Sequence, residues 1–141
     1  MKILVATDGS RHALRAVKYA ARLAHLLRTR NKITLISVHD DAGLRHAKSF
    51  VGKDQVADYL RELSEKEMKP AIKLLKADDI GYDMEIRTGH VAQEIVACAN
   101  EGRFDMIVLG SKKRGTVADM LLDSVVHKVM ALAKQAVIVV K

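Results

Sequence analysis

Aromatic residues and cysteine are scarce in this sequence of 141 residues. It has no Trp, 3 Tyr and 2 Phe, so its core must be built from the aliphatic residues that are typical of parallel α/β proteins. The single Cys cannot form an intrachain disulfide and the amino terminus has no signal-peptide pattern, so we expect a cytoplasmic location. No apolar run approaches the roughly 20 residues that span a bilayer, which argues against a membrane partner.

Basic residues outnumber acidic ones, with 24 Lys and Arg against 17 Asp and Glu and a formal net charge of +7. This balance favours anionic partners such as nucleotides, although positive surface charge also serves solubility alone. No aromatic residues interleave with the basic ones, so the platforms on which bases stack are missing. The composition therefore argues against nucleic-acid binding.

Apolar runs of strand length alternate with helical patterns, which predicts βαβ units and a parallel sheet with helices on both faces. No linker or repeat divides the chain, and its length fits one domain over residues 1–141. The predicted strands are Ile3 to Ala6, Ile33 to Val38, Tyr82 to Ile86, Met106 to Leu109 and Ala136 to Val140.

The first predicted helix follows the first strand and has Ser10 as its amino-terminal cap. Apolar residues recur along it at spacings of three and four, which predicts one buried stripe. Arg15 and the other basic residues of this segment lie off the stripe, so we expect them on a solvated face. The stripe consists of Ala13, Ala16, Val17, Ala20, Leu23, Ala24 and Leu27.

Three further helices are predicted, over Asp54 to Ala77, Val91 to Asn100 and Ser124 to Ala133. Pro70 should kink or divide the first of them, because proline lacks an amide hydrogen and clashes with the preceding turn. Residues 40–53 show no sustained period and are interpreted as a connection that can cover a site at the edge of the sheet.

Ligands of parallel α/β sheets bind outside the carboxyl ends of the strands. Asp8 ends the first strand, where it can accept hydrogen bonds from a ribose or an adenine amine, or serve only as a turn residue. Gly110 and Ser111 follow the fourth strand, and Ser124 opens the last helix, whose free amides favour an anion. Each signal alone is weak.

Three segments taken together resemble the universal stress proteins of the UspA type. They are "KILVATDGSRHALRAVKYAARLA", "IRTGHVAQEIVACANEGRFDMIVLGS" and "LLDSVVHKVMALAKQAVIVV", and the resemblance covers essentially the whole chain. It implies a Rossmann-like sheet in the order 3-2-1-4-5, of the adenine nucleotide alpha hydrolase-like kind, and a homodimer. Many members of this family bind an adenine nucleotide, so the resemblance also implies ATP or AMP as a possible ligand. It implies no required cofactor.

The resemblance implies a nucleotide site and also shows where this chain departs from it. Lys113 and Asp123 stand where nucleotide-binding members have the second and third glycines of the phosphate loop. A carboxylate about 5 Å from a phosphate charge repels it by roughly 3 kcal/mol at an effective dielectric of about 20. We therefore expect weak or no ATP binding, with adenosine or AMP as the remaining ligands. By resemblance, the site residues are Thr7, Asp8, Val38, Gly110, Ser111, Ser124 and Val125.

Two interpretations of function remain open. The first is a regulatory stress-response module that acts through an unknown protein partner, without catalytic residues or a metal. The second is an ATP-binding or slowly ATP-hydrolysing protein in which the basic loop 111–114 replaces the glycines. His39 and His90 are interpreted as loop histidines rather than as a metal or acid-base pair, and Cys98 as a buried apolar residue.

The last predicted strand is apolar on both faces, although the implied order places it at an edge of the sheet. An exposed apolar edge invites aggregation unless another chain covers it. Pairing with its own copy across a two-fold axis would cover it. The expected dimer interface is Val137, Ile138, Val139 and Val140.

Overall fold

The fold was obtained as a computed structural model, which describes residues 1–27, 32–40, 49, 52–112 and 124–141. Most of the connection over residues 40–53 lies outside the described residues. Lys113, Arg114 and Asp123 lie outside them as well.

The five predicted strands form one parallel sheet in the order β3-β2-β1-β4-β5, as the resemblance implied. Strands β1 and β4 pair at the centre, with Leu4 opposite Ile107. The first four strands are one or two residues longer than predicted. The bounds are β1 Lys2–Ala6, β2 Lys32–His39, β3 Tyr82–Thr88, β4 Met106–Gly110 and β5 Ala136–Val140.

Helices cover both faces of the sheet, because side chains that alternate along each strand are buried on opposite sides. Ile3 and Val5 contribute to the core on one face, whereas Leu4 lies in the core on the other. Helices α1 and α2 cover the first face, and α3 and α4 cover the second. The bounds are α1 Arg11–Leu26, α2 Lys53–Ala77, α3 Val91–Glu101 and α4 Ser124–Leu132.

Helix α1 begins where the sequence indicates, since the Ser10 hydroxyl accepts a hydrogen bond from the Ala13 amide at 3.2 Å. The predicted stripe faces the sheet. The prediction for Arg15 is wrong: this side chain is half-buried, and its Nη2 donates to the Ser111 carbonyl at 3.2 Å. Arg15 thus connects α1 to the segment that follows β4.

Helix α2 runs unbroken through Pro70, so the predicted division of this helix does not occur. A proline inside a helix costs about 3 kcal/mol. The residues on both sides of Pro70 are buried against the sheet, namely Met68, Ala71 and Leu75. Burial of Met68 and of Leu75 contributes about 1.5 to 3 kcal/mol each to stability. This packing offsets the cost of the proline.

Strand β3 forms an edge of the sheet beside β2. Its polar residue Arg87 makes ion pairs within the strand and with helix α3. Arg87 Nη2 lies 2.6 Å from Glu101 Oε2, and Arg87 Nε lies 3.1 Å from Glu85 Oε1. The hydrogen bond that Arg87 donates to Glu101 raises the pKa of Arg87. These contacts tie the edge strand to helix α3.

None of the helices that the structure describes is both long and apolar enough to cross a bilayer.

Candidate functional site

A cavity of about 200 Å³ opens at the carboxyl ends of β1, β2 and β4. Its floor is apolar, and its polar side chains come from the turns that follow the strands and from the first turns of α1 and α4. Six of the seven nucleotide-site residues implied by the resemblance line it: Thr7, Asp8, Val38, Gly110, Ser124 and Val125. The remaining lining residues are Ala6, His12, Ala13, Ile36, Val91, Ile95, Leu109, Lys112 and Val126.

The turn from β1 into α1 fixes the Asp8 carboxylate. The Ser10 amide donates to Asp8 Oδ1 at 2.9 Å, and Gly9 adopts φ +82, a conformation that glycine reaches without strain. Partial burial raises the pKa of Asp8, but the hydrogen bonds from Ser10 and the proximity of His12 outweigh it, so the net pKa lies below its ordinary value. The carboxylate is therefore ionised, and it is held at the mouth of the cavity.

His12 also lines the cavity, a position that the sequence analysis missed. Its Nε2 lies 3.0 Å from the Ser10 hydroxyl and 3.8 Å from Asp8 Oδ2. The sequence feature that could have indicated this position is the spacing between the two residues. His12 lies four residues after Asp8, in the first turn of helix α1. Such a residue faces the same edge of the sheet as the strand end does.

Gly110 is required by packing within the protein itself. A Cβ atom on Gly110 would lie 2.0 Å from the carbonyl oxygen of His12 and 2.9 Å from the Ala13 nitrogen. Helix α1 therefore crosses directly over the end of β4. The contact with α1 is by itself sufficient to require glycine at this position.

Ser111 is the one implied site residue that does not line the cavity among the described residues. Its amide donates to the Val140 carbonyl at 2.8 Å, and its carbonyl accepts from Arg15. Both backbone groups are thus engaged within the protein. The next residue, Lys112, brings a positive charge into the cavity.

A buried polar cluster lies next to the cavity, between β2 and α2. His39 Nε2 is 2.9 Å from Ser64 Oγ and 3.7 Å from Glu67 Oε2, and Ser64 is fully buried. Burial, and to a smaller extent Asp8, raises the pKa of Glu67 against the opposing effect of His39. A catalytic relay needs the serine and the carboxylate on opposite ring nitrogens. Here both face the same nitrogen, which is the arrangement of a structural cluster.

His90 precedes the first turn of α3 and lines a second cavity of about 450 Å³, whereas the His39 imidazole contacts Ser64 and Glu67. Val91, Ser124 and Val125 line both this cavity and the first. The described residues contain no group of three or more His, Cys, Asp or Glu side chains that could hold a metal. Cys98 is buried, and burial raises the pKa of its thiol, as expected for an apolar core residue.

This sheet order, with a cavity at the carboxyl edge, defines a Rossmann-like α/β protein. The sequence model of the Universal stress protein family matches residues 1–141, and the chain belongs to that family.

Two curated relatives are similar over almost the whole chain. The universal stress protein MJ0531 of Methanocaldococcus jannaschii is 29% identical over 99% of this chain and 81% of its own length. The universal stress protein YxiE of Bacillus subtilis is 30% identical over 99% of this chain and 98% of its own length.

Solved structures share the fold. The hypothetical protein MJ0577 superposes with a TM-score of 0.81 at 27% identity, covering 99% of this chain and 94% of its own. A universal stress protein in complex with cAMP has a TM-score of 0.65 at 24% identity, covering 100% and 97%. A universal stress protein of Archaeoglobus fulgidus in complex with dAMP has a TM-score of 0.69 at 23% identity, covering 100% and 98%.

Proposed function

We propose that this protein is a cytoplasmic stress-response module, one domain over residues 1–141, that binds an adenosine monophosphate or adenosine and binds ATP weakly or not at all. The observation that carries the proposal is the cavity at the carboxyl ends of β1, β2 and β4, with the Asp8 carboxylate at its mouth. Two proteins of the same fold are solved with cAMP and dAMP, each a monophosphate.

The distribution of charge around the cavity favours a monophosphate over a triphosphate. The described lining brings the imidazole of His12 and the ammonium group of Lys112 into the same cavity as the carboxylate of Asp8. In the sequence a further carboxylate, Asp123, directly precedes Ser124 and stands where the resemblance implies a glycine of the phosphate loop, and a carboxylate close to a phosphate chain repels it.

Calorimetric titration of the nucleotide-stripped protein with AMP, adenosine and ATP, with and without magnesium, tests the proposal. We expect binding of AMP or adenosine and little or no binding of ATP. The double variant Lys113→Gly plus Asp123→Gly should gain about two decades of ATP affinity, the equivalent of roughly 3 kcal/mol. Micromolar ATP binding by the natural protein would refute the proposal. AMP binding should stay within about twofold, which makes AMP the internal control.

The second candidate is an ATP-binding or slowly ATP-hydrolysing protein that uses the basic loop. The position of Lys112 in the cavity favours it, since a lysine ammonium can contact phosphate directly. In that case the purified protein retains ATP, and Lys112→Met weakens ATP binding far more than adenosine binding.

The proposal includes a homodimer that presents its sites to a protein partner. Strand β5 pairs only with β4 among the described strands, and Val137 to Val140 remain half-buried at the edge of the sheet. Such an apolar edge would be covered by a second copy.

Light scattering of the variant Val139→Glu tests the interface. We expect a monomer or an aggregate in place of the dimer, because the charge would enter an apolar strand pairing. Circular dichroism checks that the variant is folded. A folded variant that dimerises as tightly as the natural protein would contradict this interface.

A further inference from the structure

Strand β3 forms one edge of the sheet, and no described strand pairs with its outer side. Its inner side is fixed by β2, since the Gly89 amide donates to the His39 carbonyl at 2.9 Å. Backbone groups of successive residues in a parallel strand face opposite neighbours. Odd-numbered residues of this strand therefore face β2, and the amides and carbonyls of Met84, Ile86 and Thr88 face outward.

A groove of about 320 Å³ lies between this edge and the first turns of α2. Its two charged residues, Lys53 and Arg61, are both basic and exposed. Neither makes an ion pair within the part of the chain that the structure describes. The remaining lining residues are uncharged and consist of Val56, Ala57, Leu60, Ile86 and Thr88. The groove and the outward backbone groups thus belong to the same stretch of β3.

The charged side chains of β3 lie on the opposite face of the strand, where they already have partners. Asp83 Oδ2 lies 2.6 Å from Lys32 Nζ, and Glu85 Oε1 lies 3.1 Å from Arg87 Nε. On the side of the groove, Met84 is apolar and 45% exposed. A strand that approaches this side would therefore meet uncharged side chains of β3 and the two basic residues of α2.

We propose that the β3 edge and this groove bind an extended acidic segment of a partner protein, which adds to the sheet as a further strand. An exposed strand edge is a template for such pairing, and a pocket beside the edge selects the side chains of the added strand. The proposal goes beyond the nucleotide site and does not depend on nucleotide binding. In the proposed dimer β5 is covered, so the β3 edge of each copy remains available.

The separation of the two basic residues specifies the segment. Lys53 and Arg61 are two turns apart on α2, which corresponds to about 12 Å along a helix. Residues i and i+4 of an extended strand lie about 13 Å apart on one face. Helix α2 connects two parallel strands, so it runs antiparallel to β3 and the two distances can be compared. A segment with acidic residues at i and i+4 and an apolar residue at i+2 therefore matches the groove.

Titration of a synthetic peptide into the isotope-labelled protein, followed by NMR, tests the proposal. The probe is a blocked heptapeptide with Glu at its second and sixth positions, Val at its fourth and Thr elsewhere. We expect the largest chemical-shift changes at the amides of Met84, Ile86 and Thr88, and little change at β5. A peptide with Gln in place of both Glu should bind about threefold to tenfold more weakly. Salt should weaken binding of the acidic peptide.

Charge reversal in the protein assigns the contacts. The double variant Lys53→Glu plus Arg61→Glu should bind the acidic peptide at least about tenfold more weakly, because each attraction becomes a repulsion. The matched control is Lys66→Glu, an exposed position of the same helix outside the groove. Its affinity should stay within about twofold, since distant exposed charges are screened. Circular dichroism and AMP titration check that each variant keeps its fold and its nucleotide site.

The outcomes separate this proposal from the nucleotide function. Absence of binding at millimolar peptide would overturn it, and so would shift changes at β5 in place of β3. Equal affinities for the Glu and Gln peptides would show that the groove does not select an acidic segment. Concentration-dependent changes at β3 without peptide would assign this edge to contacts between copies of the chain, which also overturns the proposal. Failure of AMP binding would refute the nucleotide function alone and leave this proposal standing.

Discussion

The two sides of the cavity are built in different ways. On the β1–α1 side, Asp8, Ser10 and His12 lie within five residues and are held by hydrogen bonds to one another. On the β4–α4 side, Gly110 and Ser111 are positioned by elements that are distant in the sequence, namely α1 and β5. The first side is a local structure, whereas the second depends on the assembled fold.

This difference indicates where the chain can change its ligand. A locally determined turn keeps its shape when the remainder of the site varies, so the Asp8 carboxylate keeps its position at the mouth of the cavity. The phosphate side begins at residues whose backbone groups are already engaged, and its sequence departs from the glycine pattern of nucleotide-binding relatives. We therefore expect changes between relatives to alter the phosphate preference before they alter the nucleoside preference.

Gly110→Ala would break the side that depends on tertiary packing, and it should have the largest effect of the changes considered. The added methyl would meet the backbone of α1 at 2.0 Å, a contact that neither segment can relieve by a side-chain rotation. We expect a loss of about 3 kcal/mol or more in the free energy of unfolding, measured by urea denaturation.

The control for this variant is Gly81→Ala, where an added Cβ would meet nothing within 4 Å. Its free energy of unfolding should change by no more than about 0.5 kcal/mol. Equal effects of the two alanines would show that helix α1 does not press on the end of β4.

The same difference explains which parts of the molecule could be predicted from the sequence. The strands and the Ser10 cap depend on residues close together in the chain, and they were predicted correctly. The position of Arg15 was not, because its partner lies 96 residues away. The continuity of α2 through Pro70 was missed as well, because it depends on packing against the sheet.

For the same reason, only part of the candidate site could be predicted from the sequence. The position of Asp8 at a strand end was visible in the sequence, but the 3.8 Å gap between Asp8 and His12 requires the coordinates of both side chains. The need for glycine at position 110 was visible only as a motif. Its physical cause, the contact with α1, appears once the elements are assembled.

Of the changes considered, lowering the pH should have the smallest effect on stability through the β1–α1 side of the cavity. The pKa of Asp8 is lower in the folded protein than its ordinary value. Its contribution to stability is therefore fully present above the ordinary carboxyl range and is lost as the pH falls through the lower, folded value. Because the Asp8 side chain is 64% exposed, solvent screening should limit this contribution to less than about 1 kcal/mol.

Urea unfolding of the natural protein and of Asp8→Asn between pH 7 and pH 3 measures this contribution. The difference in stability between the two proteins should shrink toward acid pH, because the natural protein loses the interactions of the ionised carboxylate whereas the amide has none to lose. The exposed Asp58→Asn on α2 serves as the matched control. A difference that stays constant with pH would mean that the turn does not depend on the charge of Asp8. The shape of the β1–α1 side would then depend on the Gly9 conformation and the Ser10 cap alone. The Asp8 carboxylate would have no role in stability and would remain available to a ligand.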